Sequence, residues 1–330
     1  MILVWFKFLI CVLLIFIFGS RLTRYGDKIA RRTRLSHGLI GITFLAISTS
    51  LPEVATGLSA ASKIVGMPNL CVGDIVGSIV VNLMIIALID YRQGKGALLA
   101  KASQSHILSG VGGIVIMFLA ATFIALRMYI PERSFSLAGM GIESFLIAIL
   151  YFIIIWFLLK RGLIETPAPK TEREGLNIIW AKFLGSSIVI IVVGSWLARI
   201  GQSLATNTNM TETFVGTLFL AFATSLPEIA VAFSALKIGA HDMAIGNILG
   251  SNIFNIFIIP ICDAAYRRGP LLAGVNPSHI FTLILGIIMT AIAVAGIVYR
   301  SKRSFFKVGL DTLAIFLCGI TGFIILYRLP

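Results

Sequence analysis

Two glutamates, Glu53 and Glu228, each close the pentapeptide Thr-Ser-Leu-Pro-Glu, at 49–53 and again at 224–228. On a helix the threonine, serine and glutamate of that pentapeptide stand at i, i+1 and i+4, so two hydroxyls and a carboxylate can share one face. The proline cannot donate to the carbonyl four residues back. It therefore releases the carbonyls of Ser48 and Ala223 and bends the helix. Downstream, Ser78 and Asn82 are four apart, as are Ser251 and Asn255. The repeated set thus offers carboxylate, hydroxyl, amide and main-chain oxygens, with no His and no Cys. Such donors suit a hard cation such as Ca²⁺ or Na⁺, whereas zinc or copper would favour nitrogen and sulfur. Serine, threonine and asparagine in apolar helices also join helices to one another. The glutamates are the sharper signal. A carboxylate at the centre of a bilayer costs about 2.5–3.5 kcal/mol, and no Lys or Arg recurs beside either one. One divalent ion, or two monovalent ions, would neutralise the pair. A serine hydrolase is the competing chemistry, but no repeated His or Lys base accompanies Ser50 or Ser225, so no enzyme is expected.

The elements that carry these residues are apolar. Of 330 residues 58% are hydrophobic and 12% charged, more apolar surface than a soluble domain of this size can hide. Ten stretches are long enough to cross a bilayer, at roughly 2–19, 38–63, 71–90, 106–126, 136–159, 176–199, 213–237, 243–263, 278–299 and 307–327. Alternating ten-residue strands are absent, so helices are expected. The first stretch ends in Gly19-Ser20-Arg21 rather than a small-x-small cleavage site and reads as a helix. The net charge of +13 does not imply nucleic acid, because most of the 27 Lys and Arg residues fall between spans on one side. Arg21, Arg24, Lys28, Arg31, Arg32 and Arg34 mark that side as cytoplasmic and place both termini outside. Cys11, Cys71, Cys262 and Cys318 lack a metal-like spacing and read as packing residues.

The two pentapeptides belong to longer copies. GITFLAISTSLPEVATGLSAA (41–61) repeats as GTLFLAFATSLPEIAVAFSAL (216–236), and GDIVGSIVVN (73–82) as GNILGSNIFN (246–255). Asp90 and Asp263, each eight positions past the last Asn, correspond too. Chance similarity between apolar helices would not match Pro, Glu, Ser and Asn in order. The first copy follows one span and the second follows six, so the copies cross the membrane in opposite directions, the sign of a secondary transporter with a midplane site. Inverted halves and deep carboxylates favour alternating access over a passive pore. Gly73-x-x-x-Gly77 and Gly246-x-x-x-Gly250 let helix backbones approach closely. The expected organisation is a first five-helix repeat over 1–163 (motif 41–90), a short cytoplasmic linker over 164–175, and an inverted second repeat over 176–330 (motif 216–263). Asp74, where the second copy has Asn247, is either a simple helix-start carboxylate or part of an ion path.

These motifs resemble those of the sodium/calcium exchanger family, within the cation/calcium antiporter superfamily, whose signatures G-T-S-L-P-E and G-N-x-x-G-S-N-x-x-[ND] this chain carries as STSLPE, GDIVGSIVVN, ATSLPE and GNILGSNIFN. The short central loop is similar to that of prokaryotic members. The resemblance implies an all-α polytopic membrane protein of ten transmembrane helices in two inverted five-helix repeats. Helices 2, 3, 7 and 8 are then broken at a central site, and spans 1 and 6 form a tilted pair that slides across the core. By position it implies a metal site of Glu53 and Glu228 with Ala46, Thr49, Ser50 and Ser78 from the first copy. Ala221, Thr224, Ser225 and Ser251 match them in the second, with Asn82 and Asn255 at the remaining corners. Asn255 stands where family members often carry Asp. The implied activity is exchange of Na⁺ for Ca²⁺ without a cofactor, H⁺ or K⁺ being the alternative counter-ion. Membrane lipid is the implied surrounding, in a prokaryotic cytoplasmic membrane, with no nucleic acid and no obligate protein partner.

Overall fold

The computed structural model describes residues 2–33, 35–62, 65–94, 98–129, 136–137, 139–161, 174–205, 216–301 and 303–328. Most of the linker expected at 164–175 lies outside these residues. Among the described residues nine helices are long and apolar enough to cross a membrane, and ten when one bent pair counts as a single span. In chain order they are span 1 (Ile2–Thr33), span 2 (His37–Ala61), span 3 (Pro68–Gln93), span 4 (Ser105–Arg127) and span 5 (Ile142–Arg161). Span 6 (Leu176–Ala205), span 7 (Thr217–Thr224 with Leu226–Lys237), span 8 (His241–Tyr266), span 9 (Ser278–Tyr299) and span 10 (Leu310–Arg328) follow.

Burial sorts the spans by their neighbours. In spans 3 and 8, 89% of the apolar window is inside the protein, against 28% in spans 1 and 10, so spans 3 and 8 form the centre. Spans 4, 5 and 6 turn Phe118, Phe152, Trp156, Ile188 and Val192 outward, as a lipid-facing surface must. Where lipid is as apolar as the side chains, close packing has to hold helices together, and small residues permit it. The expected glycines do so. A Cβ on Gly77 would lie 2.2 Å from the Thr217 carbonyl oxygen, and one on Gly250 would lie 2.4 Å from that of Ile42. Span 3 thus lies backbone to backbone on span 7, and span 8 on span 2.

The breaks in spans 2 and 7 fall where proline puts them. The helix stops at Thr49 and restarts at Leu51, and it stops at Thr224 and restarts at Leu226, with Pro52 and Pro227 in the first turn of the new segment. The proline ring needs no N–H partner there. Span 7 bends by 46° at its break. Just before each break the chain widens into a single π turn, Gly41–Leu45 in one copy and Gly216–Leu220 in the other. Spans 3 and 8, implied to be broken as well, run unbroken over Pro68–Gln93 and His241–Tyr266. Their GxxxG segments stay helical throughout, and span 8 carries Pro260 without interruption.

Asp90 and Asp263 tie the ends of these central helices to other spans. Asp90 accepts from the main-chain N–H of Leu98 (3.0 Å) and Gly309 (2.8 Å) and from the Thr312 hydroxyl (2.6 Å). Asp263 accepts in the same pattern from the N–H of Leu271 (2.7 Å) and Gly141 (2.8 Å) and from Ser144. Each therefore grips the start of an outer helix, span 10 or span 5, through a short hairpin that ends on the gripped glycine. Each carboxylate takes three donors at a helix N-terminus, where its charge is favoured. Asp90→Asn or Asp263→Asn is expected to cost about 1.5–3 kcal/mol, the worth of one hydrogen bond to a charged group. The check is a lowered unfolding midpoint of the detergent-solubilised protein.

Spans 1 and 6 pack against each other and lie across the broken spans. A Cβ on Gly19 would meet that of Ala230 at 2.7 Å, and one on Gly194 would meet Pro52 Cγ at 2.5 Å. Ser20 pairs with Ser234 (2.7 Å), and Ser187 donates to Ser48 (3.1 Å). At one end Glu174 clips the two spans together through Lys28 (3.0 Å) and Lys182. Those two ammonium groups, Lys182 first, hold its carboxyl below the ordinary range of a glutamate.

Candidate functional site

The two breaks meet. Glu53 and Glu228 start the second halves of spans 2 and 7, and both are completely buried, with Thr49, Ser50, Ser78, Asn82, Thr224, Ser225, Ser251 and Asn255 buried around them. Four helices supply these side chains: broken spans 2 and 7 and the continuous spans 3 and 8. The two copies are stitched across the centre. Ser50 donates to Glu228 Oε1 (3.0 Å), which also accepts from Ser251 (3.3 Å). Thr49 faces Ser251 at 3.5 Å, and the equivalent pair, Thr224 and Ser78, stands at 3.3 Å. The carboxylate of Glu53 lies within electrostatic range of Glu228 and Asp74.

The main-chain carbonyls of Ala46 and Ala221 lie beside these hydroxyls. The π turn ends on Ala46, whose own N–H reaches back to Gly41. The Ala46 carbonyl accepts from Ser50 N–H (3.1 Å) and faces the Thr49 hydroxyl (3.3 Å). The Ala221 carbonyl accepts from Ser225 N–H (3.0 Å), and the hydroxyls of Thr224 (3.2 Å) and Ser78 (3.5 Å) lie against it. Single π turns inside α-helices are frequent at functional sites. Here the wider turn precedes each carbonyl of interest by one residue.

Several buried oxygens at this centre have no hydrogen-bond partner among the described residues. They are both oxygens of Glu53, Oε2 of Glu228, the Ser225 hydroxyl, Oδ1 of Asn82 and Oδ1 of Asn255. Burying a polar oxygen without a partner is costly, and burying a carboxylate more so. Oxygens left in this condition at the meeting point of four helices are suited to a hard cation. Among the described residues no three His, Cys, Asp or Glu side chains are arranged around one point. Two carboxylates with hydroxyl, amide and main-chain oxygens are what the centre offers.

Thr49, Ser50, Ser78, Thr224, Ser251 and Glu228 are joined by the contacts above, Asn82 and Asn255 are buried on spans 3 and 8, and the structure adds others. Asp74 is fully buried and accepts from Thr224 (3.0 Å) and Thr56 (2.6 Å). It is no exposed helix-start carboxylate. Its counterpart Asn247 faces Thr49 in the same way, at 3.3 Å. Asn252 accepts from Asn82 Nδ2 (3.1 Å). Asn247 and Asn252 lie within the second glycine motif and could have been read there. Thr56 has no polar counterpart, since the second copy places Val231 at that position.

Comparison with known proteins gives the family and the fold. The family described as sodium/calcium exchanger protein matches residues 3–160 and 178–327. An uncharacterised membrane protein of Methanocaldococcus jannaschii is 28% identical over 250 residues, covering 73% of this chain and 77% of that protein. The sodium/calcium exchanger MaX1 of Methanosarcina acetivorans is 26% identical over 268 residues, covering 71% and 74%. Among solved structures, that of the sodium-calcium exchanger NCX_Mj, soaked with Na⁺ and Sr²⁺, superposes with a TM-score of 0.70 at 21% identity over 97% of both chains.

Proposed function

We propose, from the premise that this chain belongs to the sodium/calcium exchanger family, that it exchanges Na⁺ for Ca²⁺ at the centre formed by Glu53 and Glu228. The observation that carries this reading is the pair of fully buried glutamates from opposite copies, three of whose four oxygens have no hydrogen-bond partner among the described residues. A divalent ion between them cancels both charges. Sodium ions, taking the same carboxylate, hydroxyl and main-chain oxygens, cancel them in the other half of the cycle. The two loads compete for one set of oxygens, so they cannot cross together and must alternate. No bond is made or broken, and no cofactor takes part.

The inverted copies give the site two equivalent approaches. Ala46, Thr49, Ser50 and Ser78 line it from one copy, and Ala221, Thr224, Ser225 and Ser251 from the other, with Asn82 and Asn255 at the corners. Spans 1 and 6 cross the broken spans through glycine and serine contacts, small side chains that resist sliding least. The protein works as a multi-pass integral membrane protein, in this reading in a prokaryotic cytoplasmic membrane with both termini outside. The residues before and after 164–175 act as two inverted halves.

Reconstitution tests the counter-ion. Vesicles loaded with Na⁺ and diluted into Na⁺-free medium are expected to accumulate radiolabelled Ca²⁺, and vesicles given only a pH or K⁺ gradient are not. Uptake driven by pH alone would reject sodium coupling.

A further inference from the structure

We infer that a basic cavity between the ends of spans 3, 7 and 8, far from the paired glutamates in sequence and formed by other side chains, binds a phosphate-bearing anion. The inference does not depend on which cations the protein exchanges.

Four basic side chains line this cavity, which measures about 480 Å³. They are Arg92 at the end of span 3, Lys101 in the short helix Leu98–Lys101, Lys237 at the end of span 7 and His241 at the start of span 8. Phe233 and Leu236, half-buried on span 7, supply an apolar wall. Among the described residues no Asp or Glu lines it. A smaller cavity that shares Lys101 and His241 is also lined by Asp27 and Asp242, but both carboxylates are already engaged. Asp27 accepts from Arg31 (3.0 Å) and pairs with His37 (2.7 Å). Asp242 accepts from the Ser103 N–H (2.7 Å), pairs with His106 (3.0 Å) and lies in electrostatic range of His241. Arg92, Lys101 and Lys237 are therefore the charges most open to a ligand.

Membrane orientation explains why cations collect on this side, which the charge distribution makes cytoplasmic, but not why they face one another. Other cations on the same side have protein partners. Lys28 and Lys182 hold Glu174, and Arg31 holds Asp27. Arg32 donates to the Glu174 carbonyl (2.7 Å) and Arg24 to that of Ser20 (3.4 Å). Among the described residues Arg92, Lys101 and Lys237 form no ion pair. Cations of one sign around a concavity with low-dielectric walls focus their field on an entering anion. A guanidinium matches phosphate through paired N–H groups, and an ammonium adds a point charge. The volume falls within the range of about 300–1,000 Å³ usual for small-molecule pockets, so a phosphate can enter with an organic body that covers Phe233 and Leu236. Two sources carry that chemistry, the headgroup of an anionic phospholipid and a soluble phosphate.

The cavity also has a mechanical connection to the ion site. Lys237 ends the helical segment Leu226–Lys237, whose first turn carries Glu228. An anion held by both Arg92 and Lys237 ties the far end of that segment to span 3.

The test is a titration of the purified protein in detergent, without Ca²⁺ and at constant ionic strength set with choline chloride. The probes are short-chain phosphatidylglycerol, short-chain phosphatidylcholine and inorganic pyrophosphate. Unfolding midpoint and calorimetric binding are the readouts. Phosphatidylglycerol, pyrophosphate or both are expected to bind and raise the midpoint saturably, and which of them does so identifies the source; zwitterionic phosphatidylcholine is expected to have no effect. Arg92→Gln/Lys237→Gln is expected to weaken binding at least about tenfold, through the loss of two charge-assisted contacts. Arg24→Gln/Arg303→Gln removes the same charge away from the cavity and should bind as the wild type does. All four side chains are exposed, so the fold is not at stake in either variant. The inference is overturned if neither phosphate binds, if phosphatidylcholine binds as well as phosphatidylglycerol in the absence of pyrophosphate binding, or if the cavity variant weakens binding no more than the control pair.

Discussion

Replacing Glu53 or Glu228 by glutamine is expected to reduce Na⁺-driven Ca²⁺ uptake to the level of empty vesicles while leaving the protein folded. Glutamine matches glutamate in shape. At position 53 its carbonyl oxygen takes the place of a carboxylate oxygen, and at 228 it can still accept from Ser50 and Ser251. What changes is charge. Removing one partner of a buried, hydrogen-bonded charge pair costs about 2–5 kcal/mol, so Ca²⁺ should bind roughly thirtyfold to a few thousandfold more weakly. The site then holds one negative charge against an ion of two, and occluding that imbalance in a low-dielectric centre raises the barrier as well. Radiolabelled uptake in vesicles measures the loss, and gel filtration with an unfolding curve shows whether the fold survives. Uptake like that of the wild type in either variant would refute the assignment of both glutamates.

The second large effect needs no charged residue. Gly250→Ala and Gly77→Ala would place a methyl group 2.4 Å and 2.2 Å from main-chain carbonyl oxygens of spans 2 and 7. Main chain cannot rotate aside, so the two spans must separate by about 1 Å to reach ordinary contact. Overpacking of this kind typically costs about 1–3 kcal/mol. The displaced segments are the π turns that end on Ala46 and Ala221, so the ligand oxygens move with them. A fall in transport of roughly tenfold or more is expected, since a site loosened by about 1 Å loses its preorganisation. Gly185→Ala is the control. A Cβ there meets nothing within 4 Å, and both stability and uptake should be unchanged.

The sequence already disclosed the spans, the inverted duplication and the meeting of Glu53 with Glu228. Pro, Glu, Ser and Asn in fixed order inside apolar segments have few physical uses, which made that part legible. The break sites were legible for the same reason, because proline acts through its immediate neighbours. The π turns were not, since their widened hydrogen bonding has no residue signature; they are the segments that lie against Gly77 and Gly250. The continuity of spans 3 and 8 was hidden as well, because glycine permits a break without demanding one. Asp90 and Asp263 were visible as a matched pair, but the groups they hold are 219 and 122 residues away from them. Asp74 could be marked as an oddity beside Asn247. Its threonine partners, on two different spans, emerge only from tertiary packing.

One hydrogen bond at the glutamates is made by one copy and not by the other. Ser50 reaches across to Glu228, whereas the hydroxyl of its counterpart Ser225 and the carboxylate oxygens of Glu53 have no hydrogen-bond partner among the described residues. The copies thread the bilayer head to tail, so handing that bond from one serine to the other amounts to turning the assembly upside down. Such a swap trades one engaged serine for its twin and calls for no new kind of contact. The direction in which the protein faces can thus be encoded in which serine is engaged.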